Sequence, residues 1–202
     1  MLYYLLSFFR FKYRPLRRPK QLQEGDSMKT VADYIRTIPD FPEPGIMFRD
    51  VTSVIQDADG LKLAIDEMAK LCGNPDEIDA IVGLESRGFI FGMPLAYNLH
   101  KPFVLVRKKG KLPCETIEQT YDLEYGTATI EMHTDSIKPG QKVVVVDDLI
   151  ATGGTVAAAI KLIEKLGGEV VKCVFLLELA GLKGREKLKG YDVETVVSYE
   201  GK

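Results

Sequence analysis

The chain has 202 residues, enough for one domain with a substantial core, and its 46% apolar and 28% charged content is that of an ordinary soluble globular protein. A net charge of −2 gives no argument for a nucleic-acid partner. Three widely spaced Cys (Cys72, Cys114, Cys173) without a Cys-x-x-Cys argue against a disulfide frame or zinc site and for a reducing, cytoplasmic setting. His100 and His133 are too scattered for a metal centre, and no Ser-His-Asp arrangement is visible.

Residues 1–27 stand apart. Leu2 to Phe9 is apolar and aromatic, and Arg10, Lys12, Arg14, Arg17, Arg18 and Lys20 follow against only Glu24 and Asp26. The apolar run is too short to span a bilayer, and cations after it reverse the order of a secretory signal. We expect an N-terminal extension, disordered or not native, ahead of a single domain over 28–202. No membrane or catalytic role is assigned to it.

From Met28 onward, Val31, Tyr34, Ile35 and Ile38 recur at helical spacing, which predicts a short amphipathic helix over Thr30 to Ile38, ended by Pro39. Asp40 to Asp50 holds two Pro and a Gly and reads as a stiff irregular loop, a good ligand wall because little entropy is lost when it binds. A helix is expected over Asp59 to Leu71 and a buried strand over Asp79 to Leu84. The turn Glu85-Ser86-Arg87-Gly88-Phe89 and a helix from Ile90 to Leu99 follow. Strand, polar turn and helix is the usual site geometry at the carboxyl end of a parallel strand, and Arg87 there offers a fork of donors to an anion.

Phe103 to Val106 is the next strand, leading into the basic run Arg107-Lys108-Lys109-Gly110-Lys111. Residues 112–126 show no steady period and read as a long polar loop, a lid candidate that carries Glu118, Tyr121, Glu124 and Tyr125. Strands are expected over Thr127 to Met132, Val170 to Leu177 and Val193 to Val197, with a short helix over Leu182 to Leu188. The alternation gives an α/β protein with a mainly parallel twisted sheet.

The most informative stretch is Val143 to Thr155. Four consecutive Val suit a strand buried on both faces; Asp147 and Asp148 come next, then Ala151-Thr152-Gly153-Gly154-Thr155 and an apolar helix. A small-residue loop at a helix N-terminus cradles phosphate, through free N–H groups and the helix dipole. Adjacent carboxylates need a polyol or a metal rather than phosphate, so the expected ligand is a sugar phosphate. Neither a P-loop nor a Gly-x-Gly-x-x-Gly fingerprint is present.

Val143 to Thr155 resembles the phosphoribosyl-diphosphate signature of the type I phosphoribosyltransferases. Phe41-Pro42-x-Pro44-Gly45-Ile46-x-Phe48-Arg49-Asp50, Gly83-Leu84-x-Ser86-Arg87-Gly88-Phe89-x-Phe91-Gly92, Arg107-Lys108-x-Gly110-Lys111-Leu112-Pro113, Tyr121-x-Leu123-Glu124-Tyr125-Gly126 and Leu182 to Leu188 all look like the adenine phosphoribosyltransferase family. The likeness covers residues 30–200; Ser53 departs from it, where relatives often carry Pro. It implies a sheet flanked by helices, a small N-terminal hood, a flexible lid, a homodimer, and AMP formation from adenine and phosphoribosyl diphosphate with Mg²⁺.

Carried over residue by residue, the resemblance gives Ala151, Thr152, Gly153, Gly154 and Thr155 the 5′-phosphate and sets Asp147 and Asp148 beneath the ribose. Arg87, Arg107, Lys108 and Lys111 fall to the diphosphate, and Ile46, Met47 and Arg49 to adenine. Glu124 is the candidate acid or base near N7. The ion would be held mainly by substrate and water, with no dedicated protein ligands. The resemblance also implies a non-proline cis peptide at Glu85–Ser86. Two other functions share the scaffold: a xanthine or hypoxanthine transferase, for which no Lys is placed to donate to a 6-oxo group, and a non-catalytic sensor of phosphoribosyl diphosphate.

Overall fold

The computed structural model describes residues 29–123 and 126–201. The extension over 1–27, Glu124 and Tyr125 therefore lie outside the described residues. The chain runs β1 (Arg36–Pro39), β2 (Met47–Asp50), α1 (Thr52–Gln56), α2 (Ala58–Cys72), β3 (Ala80–Leu84), α3 (Arg87–Asn98), β4 (Phe103–Lys108), β5 (Thr116–Asp122), β6 (Thr127–His133), β7 (Lys142–Ile150), α4 (Gly154–Lys165), β8 (Glu169–Leu179) and β9 (Val193–Tyr199). Strands β1 and β2 form a separate antiparallel pair, the expected hood. The main sheet has the order β5-β6-β4-β3-β7-β8-β9, parallel from β4 to β9, with β6 and β5 antiparallel at one edge.

The valine run makes this sheet central. Val143, Val144, Val145 and Val146 are each 0% exposed. Side chains alternate along a strand, so Val143 and Val145 enter the core shared with α4, β5 and β6, while Val144 and Val146 enter the core under α2 and α3. Strand β7 then continues through both aspartates to Ile150, further than the valine run alone indicates.

Four expectations are corrected. The irregular loop expected over Asp40 to Asp50 ends in strand β2, because Met47–Asp50 pairs with β1. Residues 30–38 do not form one helix. Thr30 and Asp33 close a capping box on a single 3-10 turn, Val31–Tyr34, and Ile35 is already extended. The β-branched Thr37 and Ile38 then pair with Arg49 and Phe48, so strand pairing overrides the helical spacing. Residues 112–126 are not a loop throughout, because Thr116–Asp122 pairs with β6 along its whole length. Gln119 interrupts the apolar alternation of Ile117 and Tyr121 and so conceals the strand. The expected helix over Leu182 to Leu188 is two 3-10 turns, Ala180–Leu182 and Gly184–Leu188, broken where Lys183 takes φ 54°. A 3-10 turn carries no apolar stripe long enough to read from spacing.

Ser53 accounts for its departure locally. Its Oγ accepts the Arg36 N–H at 2.9 Å and lies 2.6 Å from the Tyr34 carbonyl and 2.8 Å from that of Asp50, which fastens the hood to α1.

The Phe103 ring is wedged between β3 and α3 and leaves no room for a side chain at Gly83 or Gly92. A Cβ would stand 2.4 Å and 2.5 Å, respectively, from its atoms. Gly92→Ala should therefore destabilise the fold by about 1–2 kcal/mol although Ala is the better helix former. That cost should disappear in a Phe103→Ala background, read by chemical denaturation of the four variants.

Candidate functional site

Strand β3 lies next to β7, yet the chain leaves β3 towards β4 and returns to place β7 on its other side. This reversal opens a crevice at the carboxyl ends of the two strands, where ligands of open α/β sheets bind. An open cleft of about 560 Å³ occupies it, lined by Glu85, Ser86 and Arg87 after β3 and by Asp147 to Val156 after β7.

The two sides meet in one ion pair. Arg87 Nε stands 2.8 Å from Oδ2 of Asp148, whose side chain is 5% exposed against 44% for Arg87. The approach is not aligned as a hydrogen bond, so this oxygen has no hydrogen-bond partner and the contact is electrostatic. Asp147 Oδ1 accepts the Asp148 N–H at 2.8 Å. Burial, then the neighbouring Asp148 charge, push the Asp147 carboxyl well above its ordinary range. Burial also raises Asp148, but the Arg87 guanidinium opposes the rise. Asp147 thus holds a proton more readily, and Asp148 carries the charge that Arg87 balances.

The loop Ala151 to Thr155 leads into α4 with Gly153 at φ 73°, a left-handed conformation that favours Gly. Gly184 interlocks with it. A Cβ on Gly153 would meet the Gly184 carbonyl oxygen at 2.5 Å, and one on Gly184 would meet that of Ala151 at 2.4 Å. Arg185 clamps the same segment. It donates from Nε and Nη2 to the two Glu178 oxygens at 2.7 and 2.9 Å, and from Nη1 to the Val193 carbonyl at 2.6 Å.

Two glutamates tie down the basic run. Arg107 donates to Glu85 from Nε and Nη2 at 3.2 and 3.3 Å, and Glu85 also accepts the Lys108 N–H at 2.9 Å. Arg107 therefore braces the Glu85 turn, whose Glu85–Ser86 peptide is cis as the resemblance implies. Glu131, 3% exposed, accepts the N–H groups of Lys111 and Leu112 at 2.8 and 2.7 Å. The side chains of Lys108 and Lys111 are exposed, and neither lines the cleft.

Ile46, Met47 and Arg49 belong to the hood and its turn, also outside the cleft lining. Arg49 lies 3.9 Å from the ring centroid of Tyr199, which ties β2 to the last strand. Phe41 and Phe48 pack edge to face at 5.1 Å. Hydrogen bonds from Thr52, then the Arg36 and Arg87 charges, hold the Asp50 carboxyl of the hood below its ordinary range. Sequence reasoning passed over Glu85, Glu131 and the Glu178–Arg185 pair; an acid between Ile130 and Met132 inside a strand was the available signal for Glu131. Among the described residues no acid, His or Cys cluster could cage a metal ion. Burial raises the Cys72 and Cys173 thiols to about 11 and about 12, so neither supplies a thiolate.

A family model described as a phosphoribosyl transferase domain matches residues 52–199, and the chain belongs to that family. Its relatives are more particular. The adenine phosphoribosyltransferase of Agathobacter rectalis is 77% identical over 175 residues, 87% of this chain and 100% of that protein. The crystal structure of adenine phosphoribosyltransferase from Thermoanaerobacter pseudethanolicus is 50% identical, with a TM-score of 0.79 over 84% of this chain and 98% of that one. The Saccharomyces cerevisiae enzyme, solved with adenine and an imino-altritol bisphosphate, is 42% identical with a TM-score of 0.77, covering 83% of this chain and 96% of that one.

The aspartates give a pH test. A carboxyl raised in the folded state favours folding while protonated, and that contribution is lost as pH rises through its folded pKa. Asp147→Asn, which needs no proton, should therefore melt above the parent at pH 7. The gain should shrink as pH falls towards 4, followed by thermal melts across that range. A constant difference at every pH would refute the assignment.

Proposed function

We infer that this chain carries out adenine phosphoribosyl transfer in purine salvage, moving phosphoribosyl from 5-phospho-α-D-ribose 1-diphosphate to adenine and giving AMP and diphosphate. The observation that carries the reading is the crevice itself, where a helix-terminal small-residue loop, a pair of carboxylates and an arginine converge. The N–H groups of Ala151 to Thr155, with the Thr hydroxyls, hold the 5′-phosphate. Asp147 and Asp148 lie beneath the ribose, and the ionised Asp148 stabilises positive charge as C1′ becomes oxocarbenium-like. The C1′–oxygen bond to diphosphate breaks, a bond from C1′ to the base nitrogen forms, and the base loses one proton.

Arg87 takes charge on the leaving diphosphate, with Lys108 and Lys111 at its solvent side; Arg107 acts on it through the Glu85 turn. Ile46, Met47 and Arg49 read adenine. Backbone groups at Met47 accept from the exocyclic amine and donate to a ring nitrogen, a pattern that rejects a 6-oxopurine. Glu124 handles the proton near N7. The donor set fits Mg²⁺, since the Asp147 and Asp148 carboxylates and the Ser86 and Thr152 hydroxyls are hard oxygens in one cleft, able to hold its water shell. When bound, the ion supplies charge neutralisation for the diphosphate.

The active form in this reading is a homodimer. Ile90, Met93 and Tyr97 line one face of α3 at 42%, 53% and 84% exposure, an apolar stripe that a second copy would cover. Its compartment is the cytoplasm, in keeping with three unpaired Cys. No described helix is long and apolar enough to cross a membrane. The 6-oxopurine transferase and the non-catalytic sensor are not favoured.

The deciding measurement is AMP formation from adenine across a purine panel, with and without Mg²⁺. Turnover of hypoxanthine with none of adenine would overturn the reading. Asp148→Asn should lower kcat by about 10²-fold with little change in melting temperature. Unaltered kinetics would show that the ribose lies elsewhere.

A further inference from the structure

We propose that Tyr121 is a positioning residue for the 5′-phosphate, acting through the hydroxyl of Thr155. This rests on reading Ala151 to Thr155 as the phosphate loop. Strand β5 reaches α4 at both ends of the helix. Lys165 Nζ lies 2.9 Å from Gln119 Oε1 near the helix C-terminus. At the other end, Thr155 Oγ1 donates to the Tyr121 hydroxyl oxygen at 3.0 Å. The Tyr121 ring also closes over the loop, with its Cδ2 3.4 Å from where a Cβ on Gly154 would be. Tyr121 itself does not line the cleft, whereas Thr155 does.

A Thr hydroxyl has one proton and two lone pairs, and in a helix its χ1 divides between two rotamers. Its proton is useful to a phosphate only in the rotamer and orientation that aim at the phosphate. The bond to Tyr121 fixes the rotamer. Both groups are hydroxyls, so donor and acceptor exchange roles without heavy-atom movement. When an acceptor-only phosphate draws the Thr155 proton, the Thr155 oxygen accepts from Tyr121. The resulting chain, from Tyr121 through Thr155 to phosphate, polarises each member and strengthens the last bond. A purely structural tyrosine would need the ring alone.

Tyr121→Phe keeps the ring and removes the relay. Calorimetric titration with ribose 5-phosphate, which presents the same phosphate without diphosphate or base, should show affinity reduced by about 3–10-fold. KM for phosphoribosyl diphosphate should rise in parallel, with no matching change in KM for adenine. Thr155→Val should also weaken ribose 5-phosphate binding, and adding Tyr121→Phe to it should cost nothing more. Undiminished binding by a folded Tyr121→Phe or by Thr155→Val would overturn the proposal. So would an equal Tyr121→Phe penalty in both backgrounds, because the tyrosine would then act without Thr155. A chain that shows this coupling yet makes no AMP would support the relay and refute adenine transfer.

Discussion

Two carboxylates on consecutive residues, at the buried end of a central strand, are the costly feature on which the site depends. Burial disfavours charge on either, and the charge of Asp148 disfavours charge on Asp147. The fold resolves this with one guanidinium brought from the neighbouring strand's turn, Arg87 against Asp148. That contact exists only because β3 and β7 are adjacent at the reversal of strand order. Removing either partner would leave the other without its compensation in the crevice, so the topology and the electrostatics of the site are one constraint.

Around this pair, the loops are held by charged groups, most of which do not line the cleft. Glu131 takes two backbone N–H groups of the basic segment. Arg185 and Glu178 brace the segment that interlocks with the Ala151 to Thr155 loop through Gly184. Glu85 lines the cleft and also anchors Arg107 and the Lys108 backbone. Each is a charge-assisted contact of the stronger kind; Glu85 and Glu131 hold backbone N–H groups, and Arg185 holds the Val193 carbonyl beside its Glu178 pair. Preorganisation of this sort lowers the ordering cost when a highly charged ligand arrives.

The main elements were legible because their signals are local. Four valines ending in two acids give the strand and the carboxylates, and the small residues after them give the helix-terminal loop. Arg87 was legible as a donor, since it follows a buried strand, but not as the partner of Asp148, because pairing across strands has no sequence period. The bond from Arg107 to Glu85 was not legible for the same reason: a cation in a basic run shows no partner until the fold brings Glu85 to it. Tyr121 was hidden in a segment whose alternation Gln119 breaks, and the first 3-10 turn was hidden under a spacing that mimics a helix. The backbone interlock of Gly153 and Gly184 involves no side chain, so composition could not reveal it.

The alternation of the valine run has one more effect. Val143 and Val145 belong to one core and Val144 and Val146 to the other, with no solvent at any of the four. Peeling away either helical layer therefore strips half of the same strand, and neither layer can open as an independent unit. The sheet acts as a shared keel, which makes unfolding cooperative across the domain. The amides of Val143 to Val146 should then exchange with solvent only when the whole domain opens, which would put the strand that ends in Asp147 and Asp148 among the most protected of the described residues.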